Sequence, residues 1–324
     1  MINKYGLLFV LMYALSINGQ EYKKVYKEDC TLRKALETPK KVKLLRIHCL
    51  EKNELSEAVG NFTNLIAIKI QARNLVRLPD NFGELANLIN IDIGASQIVE
   101  LPESIGKLKK VNELEINKGK LKSLPESIGN MKSLREVDFM DNEIEYLPNT
   151  IGKLKNIERL RISSNNIKKL PKSFGGLRCL EWLEVEYNEL GTFPKSIGSL
   201  TYLQKLDAQN NELVELPKSI GKLIHLERLD LSDNRLTELP ESIGKLSNLE
   251  ILDLAENEIL ELPDAIGELS ELIHLDLRGN KLTYLPESIK NLKKLEYLDI
   301  PKNLFSNKEK ERIKELIPWC NITF

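Results

Sequence analysis

Six carboxylates recur at intervals of 23 residues in the second half of this 324-residue chain: Glu184, Asp207, Asp230, Asp253, Asp276 and Asp299. Like charges repel when a fold sets them side by side. Such a series therefore either receives a basic partner or a cation, or serves a local backbone need. Other chemistry-bearing residues are sparse. Three histidines, His48, His225 and His274, lie far apart, and on the strand register set out below they cannot share a metal. Four cysteines, Cys30, Cys49, Cys179 and Cys320, are too scattered for a disulfide framework or a zinc site. An oxidising compartment would permit a bridge between Cys30 and Cys49; two separate thiols are the alternative. The chain has no Gly-rich phosphate loop, no Gly-x-Ser-x-Gly and no His-Glu-x-x-His. No catalytic residue, cofactor, metal or small-molecule substrate is expected.

The carboxylates sit inside an internal repeat. Leu-Pro occurs at Leu78, Leu101, Leu124, Leu147, Leu170, Leu216, Leu239, Leu262 and Leu285, and Phe193-Pro194 keeps the frame where Leu is missing. Leu55 and Leu32 extend it upstream in degenerate form, giving twelve 23-residue units over 32–307. Within one unit, Leu226, Leu229, Leu231 and Leu236 are apolar with Asn234 between them. Alternation at Leu229-Asp230-Leu231 predicts a short strand with both leucines inward and Asp230 outward. Pro240 then blocks strand pairing, and Ile243 and Leu246 fit one short helical or 3-10 turn. A single unit cannot bury its own leucines; stacked units can.

The pattern L-x-x-L-x-L-x-x-N-x-L followed by L-P-x-x-I-G-x-L resembles the leucine-rich-repeat family. It is closest in form to its 23-residue Leu-Pro-x-x-Ile-Gly class of bacterial repeat proteins, plant intracellular Ras-group repeats and Ras-pathway scaffolds. The resemblance implies an α/β solenoid, or horseshoe. About twelve short parallel strands would line its concave side, with short helical or 3-10 turns on the convex side. It also implies protein binding on the concave side or its rims.

Asn142, Asn165, Asn188, Asn211, Asn234, Asn257, Asn280 and Asn303 share one repeat position. A buried amide there can bond the backbone of the turn. The first four units have Leu50, Arg73, Ser96 and Gly119 instead, which predicts a less stable N-terminal end. At the C-terminus, Ser306 to Glu309 reads as a capping box opening a helix that Pro318 ends. Residues 308–324 are thus expected to cap the array, with Trp319, Ile322 and Phe324 closing the last unit. Thr31 to Glu37 is helix-like at the other end.

Lys and Arg number 47 against 48 Asp and Glu, a net charge of −1, and no basic face calls for nucleic acid. Residues 1–20 read as a signal peptide, Lys4 preceding the apolar run 5–17, and 21–31 as a lead-in. Its removal takes Lys4 and leaves −1 − 1 = −2. The expected location is secreted, periplasmic or cell-surface, with the cytoplasm as the alternative. Membrane association is expected only if 5–17 remains as an anchor.

Outward strand residues should carry the function. The middle column begins mixed, with Arg46, Lys69, Asp92, Glu115, Asp138 and Arg161, and turns acidic from Glu184 onward. Lys205, Arg228 and Arg278 stand where they could pair with it. Among exposed aromatics, Trp182, Tyr187 and Tyr297 share this side, and such residues are enriched as binding anchors. Met140, Arg161, Trp182, Glu184, Tyr187 and Asp207 form the expected hot spot. The leading expectation is a monomeric, non-catalytic module binding a protein or peptide, basic in character, on the concave face. The alternatives are an intracellular signalling scaffold and an adhesion or coat protein with cation-assisted binding.

Overall fold

The computed structural model describes residues 30–48, 50 and 53–324. Residues 1–20 and the Cys30–Cys49 bridge lie outside what is described.

Thirteen parallel strands form one sheet in strict chain order. They are β1 (Leu44–Ile47), β2 (Ala67–Ile70), β3 (Asn90–Gly94), β4 (Glu113–Asn117), β5 (Glu136–Asp138), β6 (Arg159–Arg161) and β7 (Trp182–Glu184). Then follow β8 (Lys205–Asp207), β9 (Arg228–Asp230), β10 (Ile251–Asp253), β11 (His274–Asp276), β12 (Tyr297–Asp299) and β13 (Asn321–Thr323). Through β12 each residue pairs with the residue one repeat away, as in Asp230 opposite Asp253 and Asp276 opposite Asp299. The sheet has one strand more than the repeats supply. The extra strand, β13, comes from the C-terminal segment and pairs Tyr297 with Asn321.

Between strands the chain returns through 3-10 turns, such as Glu241–Lys245. Proline caps the turn, and its carbonyl accepts the amide three residues on: Ile243 N–H bonds Pro240 at 2.9 Å, and Leu246 N–H bonds Ile243 at 3.1 Å. Two such bonds fix one tight turn, and its isoleucine enters the core. The glycine of the turn permits close stacking. A Cβ on Gly221 would collide with the Ser242 carbonyl of the next unit. The inward strand positions, Leu229 and Leu231 among them, are fully buried.

Each asparagine ties its own unit to the one before. The Asn211 Oδ1 accepts Leu190 N–H at 3.0 Å, and its Nδ2 donates to the carbonyls of Val185 (3.0 Å), Ala208 (3.2 Å) and Gln209 (3.2 Å). The same set recurs from Asn142 to Asn303. Just before each asparagine the chain turns through a left-handed residue, at φ 55° for Tyr187 and 52° for Asp233. Gly279 is the glycine in that series.

The array is flanked by α1 (Cys30–Glu37) and α2 (Asn307–Leu316). The Ser306 hydroxyl accepts Glu309 N–H at 3.2 Å, and Ile313 and Ile317 are buried. Trp319 departs from expectation. It stays 43% exposed, with the Lys293 ammonium 4.2 Å from its ring centroid, while Ile322 and Phe324 pack on the core.

Candidate binding surface on the sheet

Strand alternation sends two columns of side chains out of the sheet face. The middle residue of the Leu-x-Leu motif forms one column, from Asp92 through Asp299. The residue two earlier forms the other: Glu113, Glu136, Arg159, Trp182, Lys205, Arg228, Ile251, His274 and Tyr297.

The acidic column has a backbone reason. An Asp carboxylate there reaches the amide two residues on. Asp138 accepts from Met140 at 3.0 Å, Asp230 from Ser232 at 3.2 Å, Asp253 from Ala255 at 3.0 Å and Asp276 from Arg278 at 3.0 Å. This bond helps turn the chain into the left-handed residue that follows. It also draws the carboxylates down against the sheet, beside one another. Burial, then the neighbouring Asp230, pushes the Asp207 carboxyl up. Burial, opposed by the Ala255 amide and reinforced by Asp230 and Asp276, pushes Asp253 up to about 6. Further along the face, Glu115 rises to about 7 through burial and the nearby Glu113 and Asp92.

Basic residues compensate most of the column. Lys69 pairs with Asp92. Arg161 bridges Asp138 at 3.6 Å and Glu184 at 3.2 Å. Lys205 reaches Glu184 at 3.4 Å, and Arg228 reaches Asp230 at 3.6 Å. Beyond β9 the first column turns to Ile251, His274 and Tyr297, and this rail of cations ends. There Arg278 pairs with Asp276 at 2.9 Å and His274 Nε2 meets Asp299 at 2.9 Å. Among the described residues Asp253 has no ion pair, and neither have Glu115 and Asp207.

The expected hot spot lies on neighbouring units from β5 to β8, and within it Arg161 and Glu184 pair with each other. Trp182 is half-buried, with the Arg159 guanidinium 3.8 Å from its ring centroid. Arg161 and Glu184 are the bridged pair above, and Met140 is half-buried. Tyr187 is 55% exposed. Tyr297, on β12, is 48% exposed and flanks the His274 ring. Two contacts escaped the sequence reading, Arg159 on Trp182 and His274 on Asp299. The second was open to it: first-column and middle-column residues of adjacent units are diagonal neighbours. Elsewhere, His225 Nδ1 lies 2.7 Å from the Thr201 carbonyl, and its ring stacks on Tyr202.

The face offers little enclosed volume. A depression by Glu115, Glu136, Arg159 and Arg161 holds about 10 Å³. A larger cavity, about 240 Å³, lies at the C-terminal cap between Lys314, Ile317 and Phe324. Cys320 lines it, and burial pushes its thiol up to about 11, which disfavours the reactive thiolate. Among the described residues no helix is long and apolar enough to cross a membrane.

The sequence matches the family described as leucine-rich repeat region over residues 25–143, 137–215 and 208–318. The chain belongs to the leucine-rich-repeat family. No curated protein sequence matches it. Among solved structures, this leucine-rich-repeat protein is similar to one from Leptospira interrogans, with 29% identity, 93% of this chain and 100% of that one covered, and a TM-score of 0.53. An internalin of Listeria monocytogenes shares the fold at 19% identity, covering 89% and 88%, with a TM-score of 0.63. The plant peptide hormone receptor RGFR1, in complex with RGF2, is 28% identical over 78% of this chain and 50% of that one, with a TM-score of 0.51.

Proposed function

We propose that this leucine-rich-repeat protein is an exported, non-catalytic interaction module that binds a basic protein segment on the concave face, centred on β10 to β12. The observation that carries the reading is the end of the cationic rail at β9. Asp253 lies beyond it without an ion pair, between Asp230 and Asp276, and exposed Tyr297 stands two strands away on the same face. A Lys or Arg from a partner would relieve the repulsion there, and its aliphatic stem would lie on Ile251 or Tyr297. Charge-assisted hydrogen bonds of this kind contribute about 1.5–3 kcal/mol each. An open face with little enclosed volume suits a macromolecule better than a small substrate. The peptide hormone receptor complex among the structural relatives supports a peptide or protein partner. Export rests on the apolar run 5–17 behind Lys4.

The test places a photo-crosslinking phenylalanine analogue at Tyr297 or at Tyr202 in the full chain, expressed in its source cells. Adducts from position 297 that vanish with Asp253→Lys are expected. Adducts from 202 alone, or adducts indifferent to Asp253→Lys, would overturn the reading.

A further inference from the structure

The C-terminal end of the sheet face brings together a set of donors of the kind that ligate metals. His274 and Asp276 lie two residues apart on β11 and project from the same face. Asp299 stands opposite Asp276 on β12. One ligand atom from each of the three can be chosen so that all lie within 4.8 Å of one another. The imidazole is also oriented. Its Nε2 points at Asp299 Oδ2, and its ring rests edge-on against Tyr297, with centroids 6.0 Å apart and planes at 68°. At the equivalent positions of β6, β8 and β9 stand Arg159, Lys205 and Arg228, which can supply charge but cannot coordinate a metal.

We propose that His274, Asp276 and Asp299 form a binding site for a divalent transition-metal ion. The histidine decides the class. An imidazole with two carboxylates suits Zn²⁺, Mn²⁺, Co²⁺ or Ni²⁺, whereas Ca²⁺ and Mg²⁺ favour all-oxygen shells with more ligands. Three protein ligands leave at least one coordination position to water or to a donor from a partner. On binding, His274 gives Nε2 to the metal and its bond to Asp299 is replaced by coordination of both groups. Asp276 keeps the Arg278 amide on Oδ1 and frees Oδ2. The Arg278 guanidinium, 2.9 Å from that oxygen, must therefore move away. Its side chain is 53% exposed, so an exchange of protein for water contacts lies open to it. Arg278 thus acts as the resident cation that a metal displaces.

Displacement gives the test a signature that a nonspecific acidic surface would not produce. Chelator-stripped full-length protein, with its thiols alkylated, is titrated calorimetrically with Zn²⁺ and separately with Ca²⁺. Saturable Zn²⁺ binding at one site per chain is expected, with Ca²⁺ weaker by at least about 100-fold. His274→Ala and Asp299→Asn should each weaken Zn²⁺ by about 10-fold or more. Arg278→Ala should tighten it, and His225→Ala should leave it unchanged. All four side chains lie outside the core, so matching metal-free melting curves can establish that each variant is folded. Absence of saturable Zn²⁺ binding, equal affinity in the His274→Ala and Asp299→Asn variants, or preference for Ca²⁺ would each overturn the assignment. The metal titration uses purified protein alone, so its outcome is independent of the crosslinking result.

Discussion

The two ends of the array are fastened differently, and the charges on their sheet face do not follow the same division. From Asn142 onward each unit is tied to its predecessor by an asparagine amide that makes two bonds to the preceding unit and two within its own. The first four units have Leu50, Arg73, Ser96 and Gly119 at that place, and the Ser96 hydroxyl is buried without a partner. The sheet face does not follow that division. Asp92 is matched by Lys69, whereas Glu115 on β4 and Asp253 on β10 have no ion pair among the described residues. Of these two, only Asp253 lies in the well-fastened part of the array. A rigid frame can hold like charges together without spreading to relieve them, and unrelieved polar groups are the ones a ligand can satisfy.

The contrast in fastening can be broken most directly at the amides. Asn211→Ala orphans the buried Leu190 amide and removes one of the two donors to the Val185 carbonyl, and should cost about 1–3 kcal/mol in chemical denaturation. Ser96→Ala removes a hydroxyl with no partner and should change stability by less than about 0.5 kcal/mol. Equal losses at the two sites would erase the distinction between the ends.

Packing between the turns gives a second, smaller contrast. Gly267→Ala drives a methyl group into the Ser288 backbone carbonyl and should cost about 1–3 kcal/mol. At the N-terminal end, the corresponding methyl on Gly60 meets the Asn81 side chain, which can move. Gly60→Ala should cost less than about 1 kcal/mol, the scale of the Asn81 to Glu57 hydrogen bond it disturbs. Thermal melts of both variants check the order.

Surface charge should give the smallest effects, and with opposite signs. Asp253→Asn removes an uncompensated charge and should raise the melting temperature slightly at pH 8. Asp92→Asn discards the Lys69 pair and should lower it slightly.

The same groups fix the pH dependence. Asp253 at about 6 and Glu115 at about 7 hold protons more tightly folded than unfolded. The folded chain therefore binds more protons between about pH 4 and 7, and its stability rises as pH falls from 8 towards 5. Below that range the gain reverses, because Arg312 holds Glu309 under its ordinary value and protonation forfeits the pair. A melting temperature that climbs steadily from pH 5 to 8 would contradict this account.

The solenoid was readable because stacking imposes one step on every unit. Leu229 and Leu231 must turn inward, Pro240 must cap the return turn, and Gly244 must allow the next unit close. Those demands fall on residue type at fixed spacing, which a sequence displays. Strand β13 carries no repeat motif, so its pairing was not foreseen. On the surface, register put the right residues on one face and allowed for the pairs Lys205, Arg228 and Arg278 make. It did not reveal that Arg159 covers Trp182, since that depends on how two long side chains lean. It also described the face as acidic from Glu184 onward, while the adjacent column offsets much of that charge as far as β9.

The constant register has a metric consequence. Moving 23 residues along the sequence moves one strand across the sheet, about 4.8 Å. Residue numbers on this face are therefore graduations on a ruler. The stretch from β7 to β12 spans five divisions, or about 24 Å, the length of about seven residues of extended chain. Excising one whole unit would shorten that scale by one division and leave the remaining marks aligned, so the reach demanded of a partner could be measured by deletion.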